Sequence, residues 1–124
     1  MKDPASPVCR TISTLLSRIG DKWTVLVVQT LGEGPKRFNE LRREIPSVSQ
    51  RMLTLTLRNL ERDGLVSRTV TPIIPPRVDY ELTGLGQSLL VPICGLATWA
   101  VDNVEAIHDA QARYDREQDA SIAA

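Results

Sequence analysis

The sequence predicts a mainly α-helical chain with one small antiparallel β-hairpin, an α+β arrangement, on three observations. Apolar residues recur at helical spacing in five segments. Two short segments in the second half, around Val66–Val70 and Val78–Leu82, alternate instead with a period of two. Glycines and prolines fall mainly at the joins between these segments. With 124 residues, 42% of them hydrophobic, the chain has material for one compact core, and a single domain spanning 1–124 is expected.

Ile12, Leu15, Leu16 and Ile19 follow the i, i+3, i+4, i+7 rule, so Arg10 to Ile19 reads as an amphipathic helix closed by Gly20. Asp21 can cap a second helix. That helix, with Trp23, Val25, Leu26, Val27, Val28 and Leu31, is apolar on most of its surface and forms the expected buried spine. Gly32, Gly34 and Pro35 end it. Lys36-Arg37 is a short loop or strand. Phe38, Leu41 and Ile45 mark the stripe of a short helix over Phe38 to Ile45, stopped by Pro46.

In Ser47-Val48-Ser49-Gln50, Ser47 and Gln50 have capping-box spacing and Ser49 is an equally usable cap. A helix therefore runs from Ser49 to Asp63, with Leu53, Leu57 and Leu60 on one face and Gly64 just beyond its end. Two helices joined by a turn of about three residues make a helix-turn-helix, spanning 38–63. Val66, Arg68 and Val70 alternate with Ser67 and Thr69, as Val78, Tyr80 and Leu82 do with Arg77, Asp79 and Glu81. This strand pair, about 65–82 with a tip at Thr71 to Pro76, is a β-wing, which makes the fold a winged helix-turn-helix. Thr83 caps a last helix, about 83–113, in which Leu85, Leu89, Ile93, Leu96, Ala100, Val104 and Ile107 recur at helical spacing. Pro92 is expected to kink or divide it, and residues beyond about Arg113 read as polar and frayed. No internal repeat is present.

The formal net charge is zero, yet its distribution is uneven. Lys36 to Arg77 holds nine basic and four acidic residues, a net +5, whereas Asp102 to Asp119 holds six acidic residues and two arginines, a net −4. Such polarity suits double-stranded DNA on one face and water or a partner on another. At about 100° per residue, Arg51, Leu55, Arg58 and Arg62 fall opposite Leu53, with Thr54 at the border. Arg51 and Arg58 suit guanine edges or phosphates, and Leu55 suits a thymine methyl. Ser49 and Gln50 can reach base edges, or phosphate at the positive helix end. Lys36, Arg37 and Asn39 are candidate phosphate contacts, and Arg77 beside Pro75-Pro76 is a candidate for the minor groove. The plainer reading makes the arginines a solvated face and the prolines a guard against edge pairing.

These residues resemble the HxlR-type winged helix-turn-helix transcription regulators, related to the MarR group. The resemblance covers about Ile12 to Trp99. It rests on Gly20-Asp21-Lys22-Trp23, on Gly34 through Arg42, on Ser49 through Thr54 with Leu60 through Val66, and on Pro75 through Thr83 with Leu85-Gly86. It implies a homodimer formed through the first and last helices, bound to a pseudo-palindromic operator. Many members carry a redox-sensing cysteine in a Cys-Pro-Val segment before the first helix. Counting back from Gly20 without a gap puts that position at Arg10, whereas this chain has Ser6-Pro7-Val8-Cys9. A thiol-based redox sensor through Cys9 is thus an alternative, because a cysteine at a helix N-terminus beside Arg10 would have a more reactive thiolate. Leu55 stands where members often have a polar side chain, which implies a different operator preference.

Other classes find little support. Cys9 and Cys94 lie far apart, and His108 is the only histidine, which argues against a zinc site or disulfide framework; no metal and no cofactor are expected. No Ser-His-acid, Cys-His or Gly-rich phosphate-binding pattern is present, so no catalytic residue is expected and the chain does not read as an enzyme. A winged helix used on another protein is the remaining alternative, and the outward arginines favour DNA. Met1 to Pro7 lacks a signal-like apolar segment, and no apolar run is read as approaching the roughly 20 residues that cross a bilayer. The expected location is therefore the cytoplasm, with no membrane partner. No sequence pattern names a small-molecule effector.

Overall fold

The computed structural model describes residues 6–123; the stretch Met1–Ala5, read above for a leader, lies outside the described residues. The elements run α1 (Pro7–Gly20), α2 (Lys22–Leu31), β1 (Lys36–Arg37), α3 (Phe38–Glu44), α4 (Gln50–Arg62), β2 (Val66–Thr71), β3 (Arg77–Leu82) and α5 (Gly84–Ala123). The order and type of the elements follow the expectation of a mainly helical chain with a small antiparallel sheet.

Local chemistry explains most boundaries. Ser6 caps α1 by accepting from the Cys9 N–H at 3.1 Å, and Pro7 occupies the first turn, where a missing N–H costs nothing. The helix therefore starts three residues before the expected Arg10. Gly20 lies within it, and Asp21 closes it by donating its N–H to the Arg18 carbonyl. The same Asp21 caps α2, its carboxylate accepting from the Trp23 N–H at 2.8 Å. Between α3 and α4, Ser49 is the cap that acts, accepting from the Met52 N–H at 3.1 Å, and Ser47 is not. At the other end of α4, Gly64 takes φ +76°, while the N–H groups of Gly64 and Leu65 donate to the carbonyls of Glu61 and Leu60. This pair of bonds is a Schellman closure, for which glycine is the natural residue.

The core is built from Val27, Val28 and Leu31 of α2, Leu41 of α3, Leu53, Leu57 and Leu60 of α4, Val66 and Leu82 at the base of the wing, and Ile93 of α5. The predicted leucine face of α4 is thus the buried one, extended by Thr56. The sheet has three strands in the order β1-β3-β2, all antiparallel. Its third strand is Lys36-Arg37, paired with Tyr80 and Asp79. The alternation read in β2 is realised only at its base: Val66 is buried, but Val70 is exposed because the wing projects beyond the core.

Three expectations for the last helix need correction. Pro92 does not divide α5, which runs through it. Residues beyond Arg113 continue as helix to Ala123 rather than fraying. The stretch Gly84–Ile122 is also long and apolar enough to cross a membrane by length and composition. The sequence reading overlooked this because Gln87, Ser88 and Thr98 interrupt the apolar residues while no charge occurs between Gly84 and Val101. The chain forms two compact units that part after Ile93. Every core residue belongs to the first; the second holds the later part of α5, whose Leu96, Trp99, Val101, Val104 and Ile107 are exposed.

Candidate nucleic-acid interface

Burial of the leucine face of α4 turns its opposite side outward. Gln50, Arg51, Leu55 and Arg58 are exposed and Thr54 is half-buried, and together they line one shallow surface groove. Leu55 is 48% exposed, a large apolar side chain between two guanidinium groups with no core to join. Among the described residues, no carboxylate pairs with Arg51 or Arg58, so both charges are available to a ligand. Thr54 differs, since its hydroxyl donates to the Gln50 carbonyl at 2.8 Å. Ser49 is likewise engaged as the cap, but its hydroxyl still has a proton to donate. The short turn Pro46–Val48, held by the Val48 N–H on the Ile45 carbonyl, presents this helix start to solvent.

A second basic surface arises from pairing distant in sequence. Because β1 pairs with β3, the beginning of α3 lies beside the wing. A groove of about 750 Å³ results, with Arg37, Asn39 and Arg43 on one side and Ile73, Pro75 and Arg77 on the other. Arg37 and Asn39 are exposed, and the Arg37 N–H donates to Glu40 Oε1 at 3.0 Å, which fixes the first turn of α3. The sequence reading treated Arg37 and Arg77 as separate contacts and passed over Arg43. The register of two short strands brings them together, and only the extra basic residue in the last turn of α3 hinted at it.

Two candidates are already engaged within the chain. The Lys36 ammonium lies 3.0 Å from Glu44 and 3.3 Å from Glu33, with its side chain only 14% exposed. Its hydrogen bond to Glu44, aided by Glu33, holds its pKa above the ordinary lysine value. A charge shared by two carboxylates has little left for a phosphate, which makes Lys36 the weakest of the phosphate candidates. Arg77 Nε donates to Asp79 Oδ2 at 3.0 Å, but its side chain remains 47% exposed. Cys9 does lie in the first turn of α1, as a thiol sensor would require, yet it is 8% exposed, and a buried thiol is inert.

A helix-turn-helix with an unpaired basic outer face, followed directly by a two-stranded wing, defines a DNA-binding transcription regulator of the winged helix-turn-helix class. The family model described as HxlR-like helix-turn-helix matches residues 18–108, and the chain belongs to that family. It is 42% identical over 106 residues to YdeP of Bacillus subtilis, an uncharacterized HTH-type transcriptional regulator, covering 81% of this chain and 83% of the relative. Among solved structures, the putative transcriptional regulator YtfH of Salmonella typhimurium matches with a TM-score of 0.74 at 34% identity, over 81% of this chain and 89% of that one. The redox regulator HypR in its reduced form matches with a TM-score of 0.74 at 40% identity, over 80% and 98%.

Proposed function

We propose that the chain acts in the cytoplasm as a homodimer on a pseudo-palindromic operator, with α4 of each copy in a major groove. Arg51, Thr54, Leu55 and Arg58 read base edges, and Ser49 and Gln50 fix the helix start on the backbone. Arg37, Asn39 and Arg77 hold the flanking strand, and Lys36 plays at most a minor part. The observation that carries this reading is the pair of exposed, unpaired guanidinium groups of Arg51 and Arg58 on the face opposite the buried leucines. Dimerisation is supported by apolar surface with no partner in one chain: Leu15 and Leu16 of α1 are 44% and 60% exposed, and Leu96, Trp99 and Val101 of α5 are 58% or more. Apolar surface on this scale marks an interface, and a second copy is the occupant the regulator reading supplies. The role assigned is regulation by binding, with no catalytic step.

Selection of bound sequences from random duplex DNA tests the reading. A two-fold symmetric consensus is expected, with half-sites about 10 base pairs apart and affinity falling steeply with salt. Binding that is indifferent to both sequence and salt would refute it.

A further inference from the structure

One large apolar side chain stands clear of the rest of the chain. Ile74 is 102% exposed, more than any other large apolar residue among those described, and it sits at the wing tip between β2 and β3. The wing base is buried at Val66 and Leu82, and the paired strands carry the tip about 17 Å further, to the Thr71–Arg77 pair. Pro72, Pro75 and Pro76 restrict this turn, and the Ile73 N–H donates to the Thr71 carbonyl at 2.9 Å, so the tip is ordered before it meets a partner. Ile73, Pro75 and Pro76 line the groove shared with α3, whereas Ile74 does not. That groove carries Arg37, Arg43 and Arg77 against one acid, Glu40, whose carboxylate already accepts from the Arg37 N–H. Among the described residues, neither the Arg37 nor the Arg43 side chain has a carboxylate partner.

We propose that Ile74 is an apolar wedge for duplex DNA: the arginines of the groove hold one phosphate backbone, and Ile74 enters the adjacent minor groove and partly unstacks a base step. The inference rests on the regulator reading and adds a source of specificity that makes no hydrogen bond to a base. The minor groove of B-DNA is only about 6 Å wide, so a turn carrying a branched side chain enters by opening it, and apolar side chains do this by wedging between base pairs. The guanidinium groups beside the tip supply the attraction that draws an apolar group against a polyanion. A protein partner fits less well, since the tip, residues 72–76, offers five residues where a stable protein interface uses roughly 20–30 a side. Unstacking is easiest at the pyrimidine–purine steps TA and CA/TG, so the operator should prefer one of these at a fixed step beyond the base pairs that α4 contacts.

Affinity and bending of a selected operator by the full chain test this, with fluorophores on the two duplex ends reporting the bend by energy transfer. The parent is expected to bend the duplex and to favour a pyrimidine–purine flanking step over a purine–purine step by about fivefold or more. Ile74→Ser removes the wedge without touching the core, because the side chain is fully exposed. It should lose about fivefold or more in affinity, lower the bend and bring the flanking preference within about twofold, with discrimination at the positions read by Arg51 and Arg58 kept. Ile74→Leu should keep all three properties. A mismatched pair at the preferred step, already partly unstacked, should tighten binding of the parent and leave that of Ile74→Ser unmoved. Ile74→Ser with the parent's bend and flanking preference, or a parent complex with a straight duplex, would overturn the wedge and leave the regulator reading standing; a parent that binds no duplex would overturn both.

Discussion

Replacing Gly86 by alanine should destabilise the domain well beyond the ordinary effect of a helical Gly→Ala change. A Cβ built there collides with the Leu65 carbonyl oxygen and comes within 3.1 Å of Leu82 Cδ2, so the start of α5 must move away from the wing base. That movement strains a strap of three bonds. The Thr83 N–H donates to the Leu65 carbonyl at 3.0 Å, the Thr83 hydroxyl donates to the Gly64 carbonyl at 2.6 Å, and the Gly86 N–H donates to the Thr83 hydroxyl at 3.1 Å. Loss of one or two of these at about 1 kcal/mol each, added to an overpacking cost of about 1–3 kcal/mol, gives about 2–5 kcal/mol. For a chain of this size, the midpoint of thermal unfolding should fall by roughly 8–20 °C. Gly95 is the control, because a Cβ there meets nothing within 4 Å. Gly95→Ala should therefore stabilise by about 0.5–1 kcal/mol through helix propensity alone. Circular dichroism of both variants at one protein concentration, by heat and by urea, measures the difference. A Gly86→Ala chain within about 0.5 kcal/mol of the parent would show that the close packing of α5 on Leu65 is not what holds the wing base.

The remaining predictions concern the surfaces. Lys36→Gln should change duplex affinity by less than about twofold, because its charge already serves Glu33 and Glu44, whereas Arg37→Ala should weaken binding several-fold and lower the salt slope by about one. Titrations at several salt concentrations check both, and a larger loss for Lys36→Gln would contradict the geometry. Trp99→Glu should shift sedimentation from dimer to monomer at micromolar concentration, since it places a charge on a side chain that is 58% exposed in the single chain and covered in the proposed dimer. An unchanged sedimentation profile would remove α5 from the interface.

Features set by local chemistry were legible in the sequence. The caps Asp21 and Thr83, the leucine face of α4 and the glycine after it follow from side-chain type and spacing, and all appear as expected. The start of α1 was missed because Ser6 and Pro7 signal a helix without adding to the apolar stripe that begins at Ile12. The last ten residues of α5 were missed because a helix polar on every side has no amphipathic period to detect. Neither the groove joining Arg37, Arg43 and Arg77 nor the Arg18–Asp63 pair, 45 residues apart, could be read locally, since each depends on which distant segments pack together. Lys36 shows the same limit within a shorter span. Its charge marked it as a phosphate ligand, and only the fold reveals the two carboxylates that hold it.

The central claim, that the outer face of α4 reads base pairs, is tested most directly by comparing the parent chain and Arg58→Ala on a selected operator and on every single-base-pair variant of one half-site. The account predicts a loss of about 1–3 kcal/mol for Arg58→Ala on the intact operator, together with lost discrimination at one base-pair position and retained discrimination elsewhere. Equal affinity of the two proteins, or a uniform loss that leaves the specificity profile unchanged at every position, would contradict it.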